Sequence, residues 1–243
     1  MAGETIELHV ALLEAIDTPE TLNACRTILS VEEQARADRF VQERHRRQYI
    51  YAHLLLRRAL SNAAPDVAPS AWCFTTGRYG RPFVTAPALP SVLHFSLSHT
   101  DGCVACVVSG HETVGVDVEA VTPRCSPMKT AQGVFAPDEI ETLRGLPQPD
   151  LINRFFDYWT LKEAYLKAKG VGLNLPLDGF SMLISTDMIG IGFKPEISDD
   201  PLNWHFALSS PSPNHRLAIA DGSGVAGGLP IIHRPWQFAG ASR

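Results

Sequence analysis

From Thr113 to Ala120 the chain reads T-V-G-V-D-V-E-A, a strict alternation of apolar and other residues. A strand sends successive side chains to opposite faces. Val114, Val116 and Val118 therefore share one face, and Gly115, Asp117 and Glu119 share the other. Other short apolar runs predict further strands: AWCFTT (71–76), LHFSLSH (93–99) and GCVACVV (102–108) before this one. FSMLI (180–184), IGIGFK (189–194), WHFALSS (204–210) and HRLAIAD (215–221) follow it. Helical spacing occupies other stretches. Thr18 is placed to cap a helix that begins at Pro19, and Ser30 with Glu33 forms a capping box. Apolar residues at helical spacing run from about Glu43 to Ala63. Pro137 starts a short helix, and a long one covers 150–170, closed by Gly170.

Helices followed by strands occur twice along the chain. The order predicts an α+β fold of two similar halves, 1–112 and 113–222, joined near Gly110 to Thr113. The remainder, 223–243, is rich in Gly and Pro and is expected to be poorly ordered or draped on the surface.

Composition narrows the functional classes. The 243 residues are 45% hydrophobic, enough to bury a sizeable core. A net charge of -5 leaves no broad basic field, so nucleic acid is not expected as a partner. The stretch MAGETIELHV has neither a basic nor an apolar leader pattern, so no signal peptide is expected, and no run reaches membrane-spanning length. The five cysteines are scattered. Cys103 and Cys106 form a C-x-x-C on a strand, three positions apart and hence on opposite faces, so they are expected to be packing residues in a reducing, cytoplasmic protein.

Several polar groups suit chemistry on an anion. Asp117 and Glu119 offer two carboxylates on one strand face, half of a site for a hard cation such as magnesium. Glu163 and Lys167 lie one helical turn apart on a common face, with Lys162 and Lys169 adding charge nearby. Ser98 and His99 end a strand in which Phe95 and Leu97 point the other way. Arg78 and Arg81, in the turn TTGRYGRP (75–82), carry the planar fork that suits phosphate. Each feature alone also has a plain reading, as solvated acids, a surface ion pair or a hairpin turn.

Together, and in this order, they resemble the Sfp-type 4′-phosphopantetheinyl transferases. The resemblance rests on G-V-D-V-E (115–119), W-T-L-K-E-A-Y-L-K-A-K-G-V-G-L (159–173), F-S-L-S-H (95–99) and Y-G-R-P (79–82), the last with arginine for the family's lysine. It spans about Glu32 to Phe180. It implies a pseudo-duplicated fold with the active site between the halves. The implied reaction is transfer of the phosphopantetheine arm of coenzyme A to a serine of an acyl or peptidyl carrier protein, releasing adenosine 3′,5′-bisphosphate. Asp117, Glu119 and Glu163 become the ligands of magnesium, or of manganese in its place. Glu163, Lys167 and Asp117 form the catalytic set, with Lys167 on the transferred phosphate. Ser98, His99, Arg81 and Arg36 hold coenzyme A, with Arg78 and Lys162 as further cations around it. Glu33 departs from the pattern, standing where relatives often carry a basic residue. A monomer is expected, since one chain can build both sides of the cleft. The competing expectations are a magnesium-dependent coenzyme A phosphohydrolase and a non-catalytic module that binds coenzyme A or a carrier protein.

Overall fold

A computed structural model describes residues 4–15, 18–122 and 126–236 of the chain. The first half holds strand β1 (Ile6–Leu12), helices α1 (Pro19–Arg26), α2 (Val31–Ala37) and α3 (Glu43–Ala63), then β2 (Cys73–Thr76), β3 (Pro82–Ala86), β4 (His94–Thr100) and β5 (Cys103–Ser109). The second holds β6 (Val114–Ala120), α4 (Pro127–Val134), α5 (Pro137–Arg144), α6 (Gln148–Lys169), β7 (Phe180–Ile184), β8 (Ile189–Phe193), β9 (His205–Ser209) and β10 (His215–Asp221), and β11 (Ile231–Pro235) follows.

Local chemistry sets the helix ends as the sequence predicts. The Thr18 hydroxyl accepts from the Thr21 amide ahead of Pro19. Ser30 and Glu33 exchange both bonds of a capping box. Gly170 closes α6 with φ 66°, a left-handed conformation that costs glycine nothing. The capping box also shows why Glu33 is not a loss of positive charge alone. Its carboxylate pairs with the buried Arg57 and with His53 at 2.8 Å, so it holds α2 against α3.

The strands form two main sheets, ordered β11-β1-β5-β4 and β6-β10-β9. Helix α3 covers one face of the first sheet, packing Ile50, Leu54 and Leu55 on Phe95, Val104 and Cys106. Helix α6 covers one face of the second, packing Ala164, Tyr165 and Ala168 on Ala218 and Ala220. The opposite faces of both sheets meet in a third core, where Ile6, Leu8, Cys103 and Val107 contact the side of Val114, Val116 and Val118. Cys103 and Cys106 thus enter different cores, as their spacing predicts. Four of the cysteines, Cys25, Cys73, Cys103 and Cys106, are free; Cys125 lies outside the described residues. No helix among the described residues is long and apolar enough to cross a membrane.

The chain beyond Asp221 differs from expectation. The Asp221 carboxylate accepts from the amides of Ser223 at 2.9 Å and Leu229 at 2.7 Å, which folds the glycine-rich segment into a loop. That loop delivers β11, which pairs in parallel with β1, Ile6 opposite Ile231. The first half's sheet is therefore completed by a strand from the far end of the chain. Residues 237–243 of that segment lie outside the described residues. β1, β3 and α4 are also additions to the elements read from the sequence.

Candidate functional site at the seam between the two sheets

Strand β4 of one sheet runs beside β6 of the other, and side chains rather than a backbone ladder join them. Ser96 Oγ accepts from Val116 N at 3.1 Å, Ser98 Oγ from Val118 N at 3.3 Å, and Thr100 Oγ1 from Ala120 N at 3.1 Å. Hydroxyls spaced by two residues thus satisfy the amides spaced by two on the neighbouring strand. Interposed side chains hold the backbones apart, and the acidic residues of β6 sit in that gap.

Gly115 explains how α6 approaches this strand. A Cβ at this position would lie 2.0 Å from the Ala164 carbonyl oxygen and 2.7 Å from the Ala168 amide nitrogen. The helix rests directly on the strand backbone, and Glu163 and Lys167 are brought over Asp117. Asp117 is 3% exposed. Its Oδ1 accepts from Ser98 Oγ at 2.8 Å and from Lys167 Nζ at 2.6 Å. Its Oδ2 is buried with no hydrogen-bond partner among the described residues. Thr100 Oγ1 donates to Glu119 Oε2 at 3.3 Å.

The electrostatics reflect crowded anions. Burial, and then the Asp117 charge, pushes the Glu119 carboxyl from 4.5 up to about 7, with Lys167 opposing. Burial and Asp117 likewise raise Glu163, again against Lys167. As their side chains stand, no three carboxylate, imidazole or thiol groups among the described residues surround one point closely enough to hold an ion. Asp117 is engaged by Lys167 instead.

Two cavities flank the seam. One, of ≈ 250 Å³, lies between the turn carrying Tyr79, Gly80, Arg81 and Pro82, the β4 residues Phe95 to Leu97, and Glu163, Leu166 and Lys167 of α6. The other, of ≈ 480 Å³, is lined by Arg44, His45, Gln48, His99 and Thr100. His99 stands at its rim, and packing together with the cations Lys167, His53 and His45 holds its imidazole below the usual range. Arg36 lies over the Tyr49 ring at 5.6 Å, and Tyr49 in turn stacks on His53. Arg78 is exposed at the hairpin tip, over the ring of Tyr79.

Two residues expected around coenzyme A are placed otherwise. Lys162 is fully buried. Its ammonium meets Glu139 at 2.9 Å and the carbonyls of Leu177 at 2.7 Å and Phe180 at 2.5 Å. All three donors are used inside the second core, because one residue's rotation about α6 turns Lys162 away from the Glu163 face. Arg81 does border the smaller cavity, but its guanidinium bonds the carbonyls of Ala168, Glu112 and Val114. Sequence reasoning in turn passed over Arg44 and His45. Their signal is a run of cations in the first turn of α3, the helix end that disfavours positive charge.

Comparison with known proteins gives a consistent set. The sequence model of the 4′-phosphopantetheinyl transferase superfamily matches residues 113–220. The 4′-phosphopantetheinyl transferase HetI of Nostoc sp. is 36% identical over 159 residues, 65% of this chain and 67% of HetI. A 4′-phosphopantetheinyl transferase of Bacillus subtilis is 30% identical over 159 residues, 65% of this chain and 68% of the relative. The 4′-phosphopantetheinyl transferase Sfp of Bacillus subtilis strain 168 is 28% identical over 194 residues, 79% of this chain and 82% of Sfp.

Proposed function

The chain belongs to the 4′-phosphopantetheinyl transferase superfamily, and we propose that it moves the 4′-phosphopantetheine arm of coenzyme A onto a serine of an acyl or peptidyl carrier protein, releasing adenosine 3′,5′-bisphosphate. The observation that carries this reading is the convergence of Asp117, Glu119, Glu163 and Lys167 beside a cavity at the seam. In the reaction the serine Oγ forms a bond to the phosphorus that bears pantetheine. The bond from that phosphorus to the bridging oxygen breaks, and its electron pair leaves with the bisphosphate. Lys167 is placed to donate to the phosphate oxygens on which charge grows. Glu163, whose carboxyl burial and Asp117 raise, is suited to take the serine proton. Ser98 orients Asp117. Arg36, Arg44 and Arg78 supply cations for the phosphates of coenzyme A and the His99 imidazole an N–H donor, with His99 and Arg44 on the larger cavity.

The donor set fits a hard dication. Asp117 Oδ2 is a buried carboxylate oxygen with no donor to it among the described residues, and burial together with the Asp117 charge raises the carboxyls of Glu119 and Glu163. Magnesium, or manganese in its place, held by Asp117, Glu119 and Glu163 would neutralise the charge of the pyrophosphate. Both walls of the cleft come from one chain, which supports a monomer. The free cysteines suit a cytoplasmic setting.

A pH-dependent stability follows from Glu119. In the unfolded chain its carboxyl ionises near 4.5, but in the folded apoprotein only near 7. The fold holds the proton longer, so this group favours the folded state below 4.5 and loses that contribution as pH rises through 7. Thermal unfolding is expected to show magnesium raising Tm more at pH 8 than at pH 5. Glu119→Gln should raise the metal-free Tm at pH 8 and shrink the magnesium effect there. An equal magnesium effect in parent and variant would remove Glu119 from the cation site.

The activity itself is tested by incubating the protein with coenzyme A, magnesium and an apo carrier protein, then measuring the intact mass of the carrier. Gain of one phosphopantetheine arm, lost when the acceptor serine is replaced by alanine, is the expected result. A panel of acyl and peptidyl carriers that gains no mass contradicts the proposal.

A further inference from the structure

We infer that Arg81 is a positioning residue, which sets the register of the catalytic helix α6 against β6, rather than a ligand of coenzyme A. The inference rests on the transfer reaction proposed above. Its basis is where the three bonds of the guanidinium end. Nη1 donates to the Ala168 carbonyl at 3.0 Å, in the last turn of α6, where carbonyls lack helical partners. Nη2 donates to the Glu112 carbonyl at 2.6 Å and approaches that of Val114 at 3.4 Å, at the start of β6. One side chain from the first half therefore ties together the ends of the two elements that carry Lys167 and Asp117.

The surroundings fit this task. Gly115 lets α6 lie on the backbone of β6, so the contact has no interlocking side chain at that point. Sliding of the helix is resisted by what grips its ends. The Gly170 Cα hydrogen faces the Arg81 side chain, and a Cβ there would come within 3.2 Å of Arg81 Cδ. The turn that carries Arg81 is itself fixed, with Gly77 N donating to the Arg81 carbonyl at 2.9 Å and Gly80 N to that of Gly77 at 3.0 Å. The planar fork matters, because it spreads its donors over carbonyls of two elements, whereas a lysine concentrates its donors on one nitrogen. The same turn lines the smaller cavity.

The test is a steady-state comparison of the parent with Arg81→Ala and Arg81→Lys, using coenzyme A and dephospho-coenzyme A as donors to one apo carrier protein. A misplacement of about 1 Å at a catalytic group costs on the order of a hundredfold in rate. For Arg81→Ala, kcat is therefore expected to fall by about ten- to a hundredfold with both donors alike, while KM for each stays within about twofold. Arg81→Lys should fall between, and it carries the test if the alanine variant does not fold. Added guanidinium ion should restore part of the kcat of Arg81→Ala, which a loss of fold would not allow. A rise in KM confined to coenzyme A, with kcat kept, would show that Arg81 holds the 3′-phosphate and would overturn the inference. Equal activity of all three proteins would do so as well. Absence of transfer by the parent protein is a separate outcome, which refutes the proposed reaction instead.

Discussion

Replacing Asp117 by asparagine is expected to lower transfer by about a thousandfold or more while the fold survives, because it removes the central charge of the site without changing its shape. The amide can keep the bond from Ser98 if its oxygen takes the Oδ1 position. It supplies no charge for Lys167, which now lies 2.6 Å from that oxygen. Lys167 is 30% exposed at its side chain, so it can be solvated when its partner is neutralised. The asparagine variant also removes the Asp117 charge that, after burial, raises Glu119 and Glu163. In the absence of divalent cation its Tm should therefore equal or exceed that of the parent. Turnover is the reading that matters: the lost interaction acts mainly as charge grows on the phosphate, so kcat should fall further than coenzyme A affinity. Parent-like turnover in Asp117→Asn would exclude this carboxylate from the reaction.

Gly115→Ala should damage both stability and activity. The added methyl would stand 2.0 Å from Ala164 O and 2.7 Å from Ala168 N, and both are backbone atoms of a helix packed on its other sides. Ordinary contact begins at 3.4 Å, so α6 has to withdraw or tilt. Overpacking of this kind costs about 3 kcal/mol. A helix displaced by about 1 Å carries Glu163 and Lys167 away from Asp117, and transfer should fall by about a hundredfold even in the molecules that fold. Gly133→Ala is the matched control. That glycine lies in α4 with open space around its Cα, and alanine favours a helix there. Urea unfolding and transfer rates of the two variants check the claim. Equal stability of Gly115→Ala and Gly133→Ala would mean that α6 does not lie on β6 as described.

What could be read from the sequence was the face on which each side chain lies, and what escaped was the partner it meets there. Alternation put Asp117 and Glu119 together and separated Cys103 from Cys106, because strand geometry alone decides both. Caps at Thr18, Ser30 and Gly170 were equally local. Lys162 was misplaced because a motif of one-letter neighbours does not show that its side chain turns into the core toward Glu139. Arg81 was assigned to phosphate for its chemistry, but the carbonyls of Glu112 and Ala168 compete for the same fork from 31 and 87 residues away. Ser98 was read as lying on the face opposite Phe95 and Leu97, while the role of Ser96, Ser98 and Thr100 in joining two sheets depends on amides of a different half. The strand at 231–235 was hidden by the glycines before it, since its pairing is with β1 at the other end of the chain.

The most direct measurement is the balance of products when the parent protein, coenzyme A, magnesium and an apo carrier protein react. Adenosine 3′,5′-bisphosphate and phosphopantetheinylated carrier should appear in equal amounts, and neither should form once the divalent cation is chelated. Release of the bisphosphate together with free phosphopantetheine, the carrier remaining unmodified, would identify water as the acceptor and contradict the account.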